Sequence, residues 1–548
     1  MAAAGLRADG CFLRHPAGVV KVIGVLKGTN DAVPAADARG LLIPGFGTTA
    51  REPWFKPFGM RGVFFLKGRF PLGPFRYTMP NTLYTARKTL KNYTNGGTVL
   101  MVATVLALIV ANIPGAGEVY DSLWDHTIAL RVGGFNLFSH HGEPMSILEF
   151  INDALMAVFF FSVGLEIKRE VLVGELSSFR QALLPIVAAI GGMVMPVAIF
   201  FLDAYGSDYV NGAAIPMATD IAFSLGVLAM LGSRVPTGLK IFLTTLAVVD
   251  DIGGILVIAI FYSHGIVWWM LGVAAALLVI LALGGWFRIQ SKIFYLGIGA
   301  FVWFLFLNAG IHPTIAGVLI ALCVPARPVY APKKYIKAIR RNIAFFSQEN
   351  DETLNSKTIL DKEQLNHLKE IESASDKVIS PLQDMEDSLH PVVNYMIVPL
   401  FAFANAGIPF AGLEFASIFS GVSLAIILGL IVGKTLGIFS FSWLCIKFRW
   451  APMPHGGNWK RLFSMSMLGG IGFTVSLFIA NLSFGTGDPW QSALLDHSRL
   501  GILVGSLLAG VLGFLSLHHT LPKTTAEAAA ADEAKHRYSI TEQRPRSR

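Results

Sequence analysis

This chain has little charge for its length. Only 15% of its 548 residues are Asp, Glu, Lys or Arg, whereas 53% are hydrophobic and the mean hydropathy is +0.57. A soluble domain carries about 25% charged residues. Most of the charge must therefore be confined to loops and tails, and we predict an integral membrane protein.

Cysteine and nucleotide-binding motifs are also scarce. The three cysteines, Cys11, Cys323 and Cys445, are far apart and lack ligand spacing, which excludes a disulfide framework and a cysteine metal site. No G-x-x-x-x-G-K-[ST] P-loop occurs, so an ATP-driven pump is not indicated. The net charge of +8 does not indicate nucleic acid, because the basic residues sit beside apolar runs and form no single face.

Twelve apolar runs predict an all-α integral membrane fold of about 12 transmembrane helices. A helix needs about 20 apolar residues to cross roughly 30 Å of hydrocarbon, and the eighth run is the one that falls shortest of this length. The runs lie at 96–113, 148–167, 182–202, 212–231, 239–262, 266–286, 293–309, 311–325, 391–409, 420–443, 462–484 and 499–518.

The loops between these runs differ in charge. Cytoplasmic loops carry an excess of Lys and Arg. Basic residues follow the even-numbered runs: Lys168, Arg169, Arg234, Lys240, Arg288, Lys292, Lys333, Lys334, Lys337, Arg340, Arg341, Lys447, Arg449, Lys460 and Arg461. The loops at 203–211, 263–265, 409–420 and 485–491 are nearly free of them. This alternation predicts that both termini are cytoplasmic.

We place the membrane domain at 79–520, with a cytoplasmic insertion at 328–390 and a further segment at each end of the chain. Residues 1–78 lack a signal-peptide pattern and are either a translated leader, with Met79 as the true start, or a disordered tail. The charged insertion at 328–390 contains Leu360, Leu365, Leu368 and Ile371 at helical spacing; a cytoplasmic helical hairpin or lid and a solvated linker are equally compatible with it. Residues 521–548 are predicted to be a disordered cytoplasmic tail.

Few ionisable residues lie deep in the runs. They are Asp220 in span four, Asp250 and Asp251 in span five, and Lys434 in span ten. A charge at the bilayer centre costs at least a few kcal/mol and indicates function. Adjacent carboxylates cannot both ionise cheaply in a low-dielectric site, and carboxylate oxygens suit a hard alkali cation. The Asp250–Asp251 pair therefore predicts a site that holds either protons or a cation.

Spans four and eleven are interrupted at similar depth. Span four reads Ala-Ile-Pro-Met-Ala-Thr-Asp, where Pro216 removes a backbone donor just before Thr219 and Asp220. Span eleven carries Gly469-Gly-Ile-Gly, which also predicts a break. Where broken helices meet, opposed dipoles leave charged ends in the membrane, and Asp220 and Lys434 could compensate them. A simple Pro or Gly kink would not explain those two charges.

Many short segments resemble the NhaA family of bacterial sodium/proton antiporters. The resemblance implies a pair of broken, crossing helices between inverted repeats. This family is itself a type example of that architecture, so the two interruptions do not test the resemblance independently. The matching segments occur in family order at 160–170, 218–224, 248–253, 310–317, 389–391, 399–407, 433–437 and 469–474.

The resemblance implies roles for individual residues. Asp251 corresponds to the main Na⁺ ligand, and Asp250, which shares the cation site, to the partner of Lys434. Thr219 and Asp220 belong to the helix-crossing assembly. No catalytic residue and no cofactor is implied, only transported Na⁺ or Li⁺ and H⁺.

The resemblance also implies regulation and assembly. Glu166, Arg169 and Glu170 correspond to a pH-sensing entrance on the cytoplasmic side. Family members are homodimers in the bacterial inner membrane, joined partly through an external β-hairpin, which fits residues 128–138. The alternating apolar pattern around Gly-Gly at 130–137 independently predicts such a hairpin.

The function expected from these features is secondary active, electrogenic and pH-regulated Na⁺(Li⁺)/H⁺ antiport in a lipid bilayer, for sodium and pH homeostasis. Two alternatives remain at this point. A sodium-coupled organic-anion symporter would need a larger polar cavity. An intramembrane aspartyl protease would need two aspartates on different helices, a geometry that Asp220 and Asp251 could satisfy.

Overall fold

A computed structural model describes most of the membrane domain. The described residues are 11–14, 20–23, 96–129, 131–132, 135–136, 138–140, 143–263, 265–328, 332–346, 362–410, 418–485 and 488–522. Within 1–78, β1 (Cys11–Arg14) and β2 (Val20–Ile23) form an antiparallel hairpin with Cys11 opposite Ile23. The rest of 1–78, Leu360 of the insertion and nearly all of the predicted tail at 521–548 lie outside the described residues.

The rest of the fold is helical. Short 3₁₀ and π segments interrupt or join several helices. The helices are α1 Gly96–Asn112, α2 Ala116–Asp125, α3 Ile147–Val173, α4 Phe179–Ala204, α5 Ile221–Met230, α6 Thr237–Phe261, α7 Trp268–Trp286, α8 Lys292–Asn308, α9 Pro313–Cys323, α10 Pro332–Phe346, α11 Lys362–Val378, α12 Pro381–Val392, α13 Val398–Asn405, α14 Gly421–Lys447, α15 Trp459–Leu468, α16 Phe473–Phe484 and α17 Pro489–Thr520.

Several helices are apolar enough to cross a membrane. Among the described residues six single helices meet that length and composition, and nine spans result if each of three bent pairs counts as one. Two shorter apolar helices, α8 and α9, come in addition. All twelve predicted runs overlap helical segments, so a multi-pass helical membrane protein is established, whereas the count of twelve stays a prediction.

Local sequence explains where key helices begin. In α3 the Ser146 hydroxyl accepts from the Glu149 N–H at 3.1 Å, and the Glu149 carboxylate accepts from the Ser146 N–H at 2.8 Å, which is a capping box. Asp220 caps α5 by accepting from the Phe223 N–H at 2.9 Å. These caps fix the register of the two helices that carry Glu166 and Asp220.

Close helix crossings depend on glycine. Gly191 of α4 and Gly437 of α14 face each other, and a Cβ on either would collide with the other's carbonyl oxygen. Gly317 of α9 similarly approaches the backbone of Ala157 in α3. Small residues at such crossings let membrane helices pack backbone to backbone. The α4–α14 contact brings Lys434, one turn from Gly437, into the core.

Short strands connect α2 to α3. Strand β3 (Thr127–Ile128) pairs with β7 (Glu143–Ser146), which also pairs with β6 (Ser139–His140). Strand β4 (Arg131–Val132) pairs antiparallel with β5 (Phe135–Asn136). The hairpin predicted at 130–137 is therefore confirmed, although the Gly-Gly turn itself lies outside the described residues.

The insertion contains helices. Helices α10 and α11 pack on each other, and α12 packs on α3. Helix α12 starts behind Ser380, whose hydroxyl accepts from the Gln383 N–H at 3.3 Å. A π segment, Val393–Ile397, then joins α12 to α13. The insertion thus leads directly into the ninth predicted span.

Candidate functional site: a buried carboxylate centre between two bent helix pairs

Two bent helix pairs meet at the centre of the fold. The 3₁₀ segment Val210–Met217 and α5 are bent by 40°, and α15 and α16 by 45°. The extended link of the first pair bonds the link of the second: the Asp220 N–H donates to the Ile471 carbonyl at 2.7 Å, and the Thr219 hydroxyl donates to the Gly469 carbonyl at 2.9 Å. Backbone groups freed by each break are thus satisfied by the other.

Asp220 holds both breaks together. One carboxylate oxygen caps α5, and the other accepts from the Thr474 N–H at 3.1 Å and the Thr474 hydroxyl at 2.6 Å. Its side chain therefore lies at the N-termini of α5 and α16 at once, where a negative charge compensates two positive helix ends. Three donors commit this carboxylate to a structural task.

Lys434 and Asp250 form a buried ion pair. Both side chains are inaccessible to solvent, and the Lys434 ammonium contacts the Asp250 carboxylate directly. The ammonium also donates to the Thr219 hydroxyl at 2.8 Å. A π segment, Gly429–Gly433, immediately precedes Lys434; such bulges re-aim side chains and are frequent at functional sites.

Asp251 is the aspartate without a settled partner. It is only 4% exposed, and its Oδ1 atom has no hydrogen-bond partner; Asp250 Oδ1 also lacks one. Buried polar atoms are almost always hydrogen-bonded, and among the described residues no protein group supplies a partner for these two carboxylate oxygens. Protons or a small cation with oxygen ligands would supply it.

A cavity of about 400 Å³ reaches Asp251. Thr219, Asp220 and Thr474 line its inner end together with Asp251. At the other end, towards the C-terminus of α3, its lining includes Glu166, Arg169, Glu386 and His390. The cavity therefore joins two of the three predicted pH-sensing residues to the carboxylate centre.

An ion pair stands at the mouth of this cavity. Arg169 Nη1 lies 2.7 Å from Glu386 Oε1, and the second Arg169 nitrogen lies 3.3 Å from Glu170 Oε1. Burial raises the pKa of Glu386, while the neighbouring Arg169 guanidinium opposes that rise. Glu170 is absent from the cavity lining and instead accepts from the Glu175 N–H at 3.1 Å, so it secures the end of α3.

Sequence reasoning missed several groups here. Glu386 and His390 lie four residues apart on α12, inside a strongly charged segment where one carboxylate does not stand out. His390 falls in the family-like segment 389–391, whereas the signal for Glu386 was its position just before an apolar run. Thr474 ends the family-like segment 469–474 but was given no role of its own, because a hydroxyl in a membrane helix costs little and hardly changes the hydropathy.

A second buried polar chain was also missed. Asn405 donates to Asn152 at 2.9 Å, Asn481 donates to Asn405 at 2.8 Å, and Arg499 donates to Asn481 at 3.2 Å. Arg499 further pairs with Asp496 at 3.2 Å. Arg499 stands at the first position of the last apolar run, where it reads as a loop residue although its side chain is largely buried.

Comparison with known proteins decides the family. The model of the family described as Na⁺/H⁺ antiporter 1 matches residues 87–517. The chain belongs to this family. An Na⁺/H⁺ antiporter NhaA of Phocaeicola vulgatus is 52% identical over 82% of this chain and 98% of its own length. Relatives of the same name from Bacteroides fragilis and Bacteroides thetaiotaomicron are 54% and 51% identical, over 77% and 80% of this chain and 95% and 99% of their own lengths.

As a member of the Na⁺/H⁺ antiporter 1 family, the chain is a secondary transporter rather than an enzyme. The matched region runs from before α1 into the last turn of α17 and contains every residue of the carboxylate centre. The resemblance seen in the short segments is therefore confirmed. Family transporters of this kind use no cofactor, and their substrates are Na⁺ and H⁺.

Proposed function

We propose that this antiporter exports Na⁺, and also Li⁺, in exchange for protons that bind the same buried centre. The observation that carries this proposal is the orphaned oxygen of Asp251 at the inner end of a cavity. Asp251 is the main cation ligand, and a hard alkali cation suits its carboxylate. Because the same oxygens bind a proton, occupation by one excludes the other.

Lys434 controls when Asp250 can bind the cation. While the ammonium contacts Asp250, that carboxylate is neutralised and does not compete for the cation. When Na⁺ enters, the Asp250 carboxylate leaves Lys434 and binds the cation. Lys434 then releases a proton, because an unpaired buried ammonium is costly. Thr219 remains as the hydrogen-bond partner that holds the lysine in place.

This sequence of events makes the exchange electrogenic. The Na⁺-loaded centre carries one cation with two carboxylates and a neutral lysine. The proton-loaded centre carries one proton on Asp251 and one on Lys434. Two protons therefore replace one sodium ion, and one net charge crosses the membrane in each cycle.

The membrane architecture we propose has twelve crossings with inverted repeats and both termini in the cytoplasm of a bacterial inner membrane. The basic loops after the even-numbered runs support this orientation. The two bent pairs are the crossing helices of spans four and eleven. The cavity mouth at Arg169 then faces the cytoplasm.

Regulation by pH resides at that mouth. Glu166 and Arg169, with Glu386 and His390 from α12, line the path that a cation takes to Asp251. Protonation of the two glutamates, Glu166 and Glu386, changes the charge that an entering cation meets. Glu170 acts indirectly, by holding the guanidinium of Arg169 at 3.3 Å. The exchange thereby serves both sodium and pH homeostasis.

Two copies assemble through the external β-hairpin at 128–138. The paired strands β4 and β5 present main-chain edges on which a second copy could add its own strands. The ion centre lies wholly within one chain, so assembly is not required for the exchange chemistry.

No observation favours the two alternatives. A protease dyad would need Asp220 to share a water with Asp251, but three donors already occupy the Asp220 carboxylate. An organic anion would meet two further carboxylates in the cavity, Glu166 and Glu386, which would repel it.

The proposal is tested in proteoliposomes that contain a pH-sensitive dye. Addition of Na⁺ or Li⁺ should move protons immediately, whereas K⁺ should not. A proton movement driven equally by K⁺, or one that needs an organic anion, would reject the assignment.

A further inference from the structure

Helix α10 is the most basic element outside the ion path. Its sequence, PKKYIKAIRRNIAFF, carries five basic and no acidic residues. Its main packing partner is α11: Asn342 Oδ1 lies 2.9 Å from His367 Nδ1, and Arg341 lies 3.4 Å from Glu370. The paired numbers run in opposite directions, so the two helices are antiparallel. We call this unit the α10–α11 hairpin.

The hairpin has two unlike sides. Successive helical residues are about 100° apart, so Arg341 and Ile343 flank the buried Asn342 on opposite sides of the seam. Likewise Glu370 and Leu368 lie on opposite sides of His367. The Arg341–Glu370 ion pair therefore marks one side of the hairpin, and the apolar side chains mark the other.

The apolar side chains of the hairpin are nearly half exposed. Ile336 and Ile343 of α10 are 47% and 50% exposed, and Leu365 and Leu368 of α11 are both 41% exposed. Scattered exposed apolar residues are ordinary, but here four large ones share one side of two packed helices. We call this surface, made of Ile336, Ile343, Leu365 and Leu368, the apolar side.

On α10 positive charge borders the apolar side, whereas on α11 the exposed Glu372 lies between Leu365 and Leu368 by the same spacing. By the same helical spacing, Arg340 and Lys333 lie next to Ile336 and Ile343, with Lys337 one step further round. All three are exposed. A helix with an apolar face rimmed by Lys and Arg is the pattern that lies in a bilayer interface, with its apolar side chains inserted and its charges on anionic headgroups.

We propose that the α10–α11 hairpin docks with its apolar side on an anionic phospholipid surface, which Lys333, Lys337 and Arg340 recognise through the lipid phosphates. The chain places it within reach of a bilayer, because membrane helix α9 ends at Cys323, nine residues before α10 begins at Pro332. The inference rests on the proposed membrane placement of α9 and is independent of ion exchange.

Lipid quenching tests this docking. The three native cysteines are replaced by serine in the full-length chain, and a fluorophore is attached to Ile343→Cys on the apolar side or to Glu370→Cys on the other side. The protein is reconstituted with nitroxide-labelled lipid in phosphatidylcholine alone or mixed with phosphatidylglycerol. Quenching at position 343 should exceed that at position 370 and should increase in the anionic vesicles.

Charge variants define the recognition. Each basic side chain near an anionic surface strengthens the binding to that surface. Arg340→Gln should therefore lower the ratio of docked to free hairpin about fivefold. The triple variant Lys333→Gln/Lys337→Gln/Arg340→Gln should abolish the difference between vesicle types. Arg341→Gln, on the other side of the hairpin, is the matched control and should change the ratio about twofold or less.

Three results would overturn the inference. They are equal quenching at both positions, quenching that ignores lipid charge, or protection of position 343 with crosslinking to a second copy. Exchange is measured in the same vesicles: lost docking with normal Na⁺-driven proton movement rejects only this inference, whereas normal docking without exchange rejects only the proposed function.

Discussion

At the scale of the single residue, Asp251 is the group proposed to carry the exchange. Asp251→Asn removes the ionisable group but keeps the shape of the side chain, so the protein should stay folded while Na⁺-driven proton movement disappears. Loss of the charge should not destabilise the fold, because a buried carboxylate oxygen without a partner is itself a cost. Dye fluorescence in proteoliposomes measures the exchange, and thermal unfolding in detergent measures the fold.

The control for this variant is Asp203→Asn. Asp203 is an exposed aspartate at the end of α4 that accepts from the Tyr209 hydroxyl at 3.2 Å, so the same chemical change there should be silent. Wild-type exchange in Asp251→Asn would show that the cation binds elsewhere.

The Lys434–Asp250 pair is predicted to be coupled. Removing one partner of a buried ion pair leaves an uncompensated charge and costs about 3–5 kcal/mol. Lys434→Met and Asp250→Asn should each destabilise the protein, and the double variant should lose far less than the sum. A double-mutant cycle on unfolding free energies measures this coupling.

The loss of unfolding free energy in Thr219→Val is the reference with which the coupling energy of that cycle is compared. This substitution removes two hydrogen bonds, one from the Lys434 ammonium and one to the Gly469 carbonyl, and a hydrogen bond to a charged group is worth about 1.5–3 kcal/mol. Strictly additive losses in the cycle would mean that the contact between Lys434 and Asp250 contributes nothing to stability.

Some of these residues could be predicted from the sequence and others could not. Asp250, Asp251 and Lys434 stand out because a charge inside an apolar run is expensive and therefore rare. Glu386 could not be found in this way, since it lies among other charges and gains its importance only when α12 packs beside Arg169. The sequence around Glu386 does not indicate that α12 will pack against the helix that carries Arg169.

At the scale of the element, α12 sets the charge at the cavity mouth. Glu386→Gln removes one negative charge beside Arg169, so an entering cation meets a less negative mouth. The apparent KM for Na⁺ should rise about two- to fivefold, the range expected for a partly exposed pair of up to about 1 kcal/mol, with kcat nearly unchanged. Initial exchange rates against Na⁺ concentration measure both.

The pH dependence of this effect has a defined sign. Burial raises the pKa of Glu386, so in the wild type its negative charge is lost as the pH falls through that raised value. Wild type and Glu386→Gln should therefore differ at alkaline pH and converge at acidic pH. The control is Asp387→Asn, which makes the same kind of change at the exposed residue next to Glu386. A difference that is constant with pH would remove Glu386 from the regulation.

The external hairpin is proposed to join two copies of the chain without taking part in the exchange. Deletion of residues 130–137 removes β4 and β5 but leaves the carboxylate centre untouched. The dimer should weaken while exchange per chain is retained. Analytical ultracentrifugation in detergent reports the first, and proteoliposome exchange reports the second. An unchanged dimer would place the contact elsewhere, and a folded but inactive monomer would make assembly necessary for exchange.

Elements were more predictable than their junctions. The capping box of α3 and the proline before Thr219 each depend on only four or five neighbouring residues. They account for the start of α3 and for the break before α5. The π segments before Lys434 and after α12 carry no such local signal. They arise where tertiary contacts pull a side chain out of helical register.

At the scale of the whole molecule, the two bent pairs and the ion pair form one connected unit. Thr219 bonds Lys434 on one side and the α15–α16 link on the other, so the charge state of the centre is tied to the crossing of the helices. A switch between a Na⁺-loaded and a proton-loaded state can therefore bias a change in helix arrangement. This connection is what an alternating-access transporter requires.

The net charge moved by the molecule is its most general prediction. If two protons replace each Na⁺, one positive charge enters per cycle and an inside-negative potential should drive sodium out. One charge gains about 2.3 kcal/mol per 100 mV, so about 60 mV should shift the equilibrium Na⁺ gradient tenfold. Potentials are set with K⁺ and valinomycin, and the Na⁺ gradient at which proton flux stops is recorded. A variant that retains exchange but lacks the lysine, such as Lys434→Gln, should lose this voltage dependence because only Asp251 then carries a proton. An Na⁺ gradient that does not respond to voltage in the wild type would mean one proton for each Na⁺, and Lys434 would then keep its proton throughout the cycle.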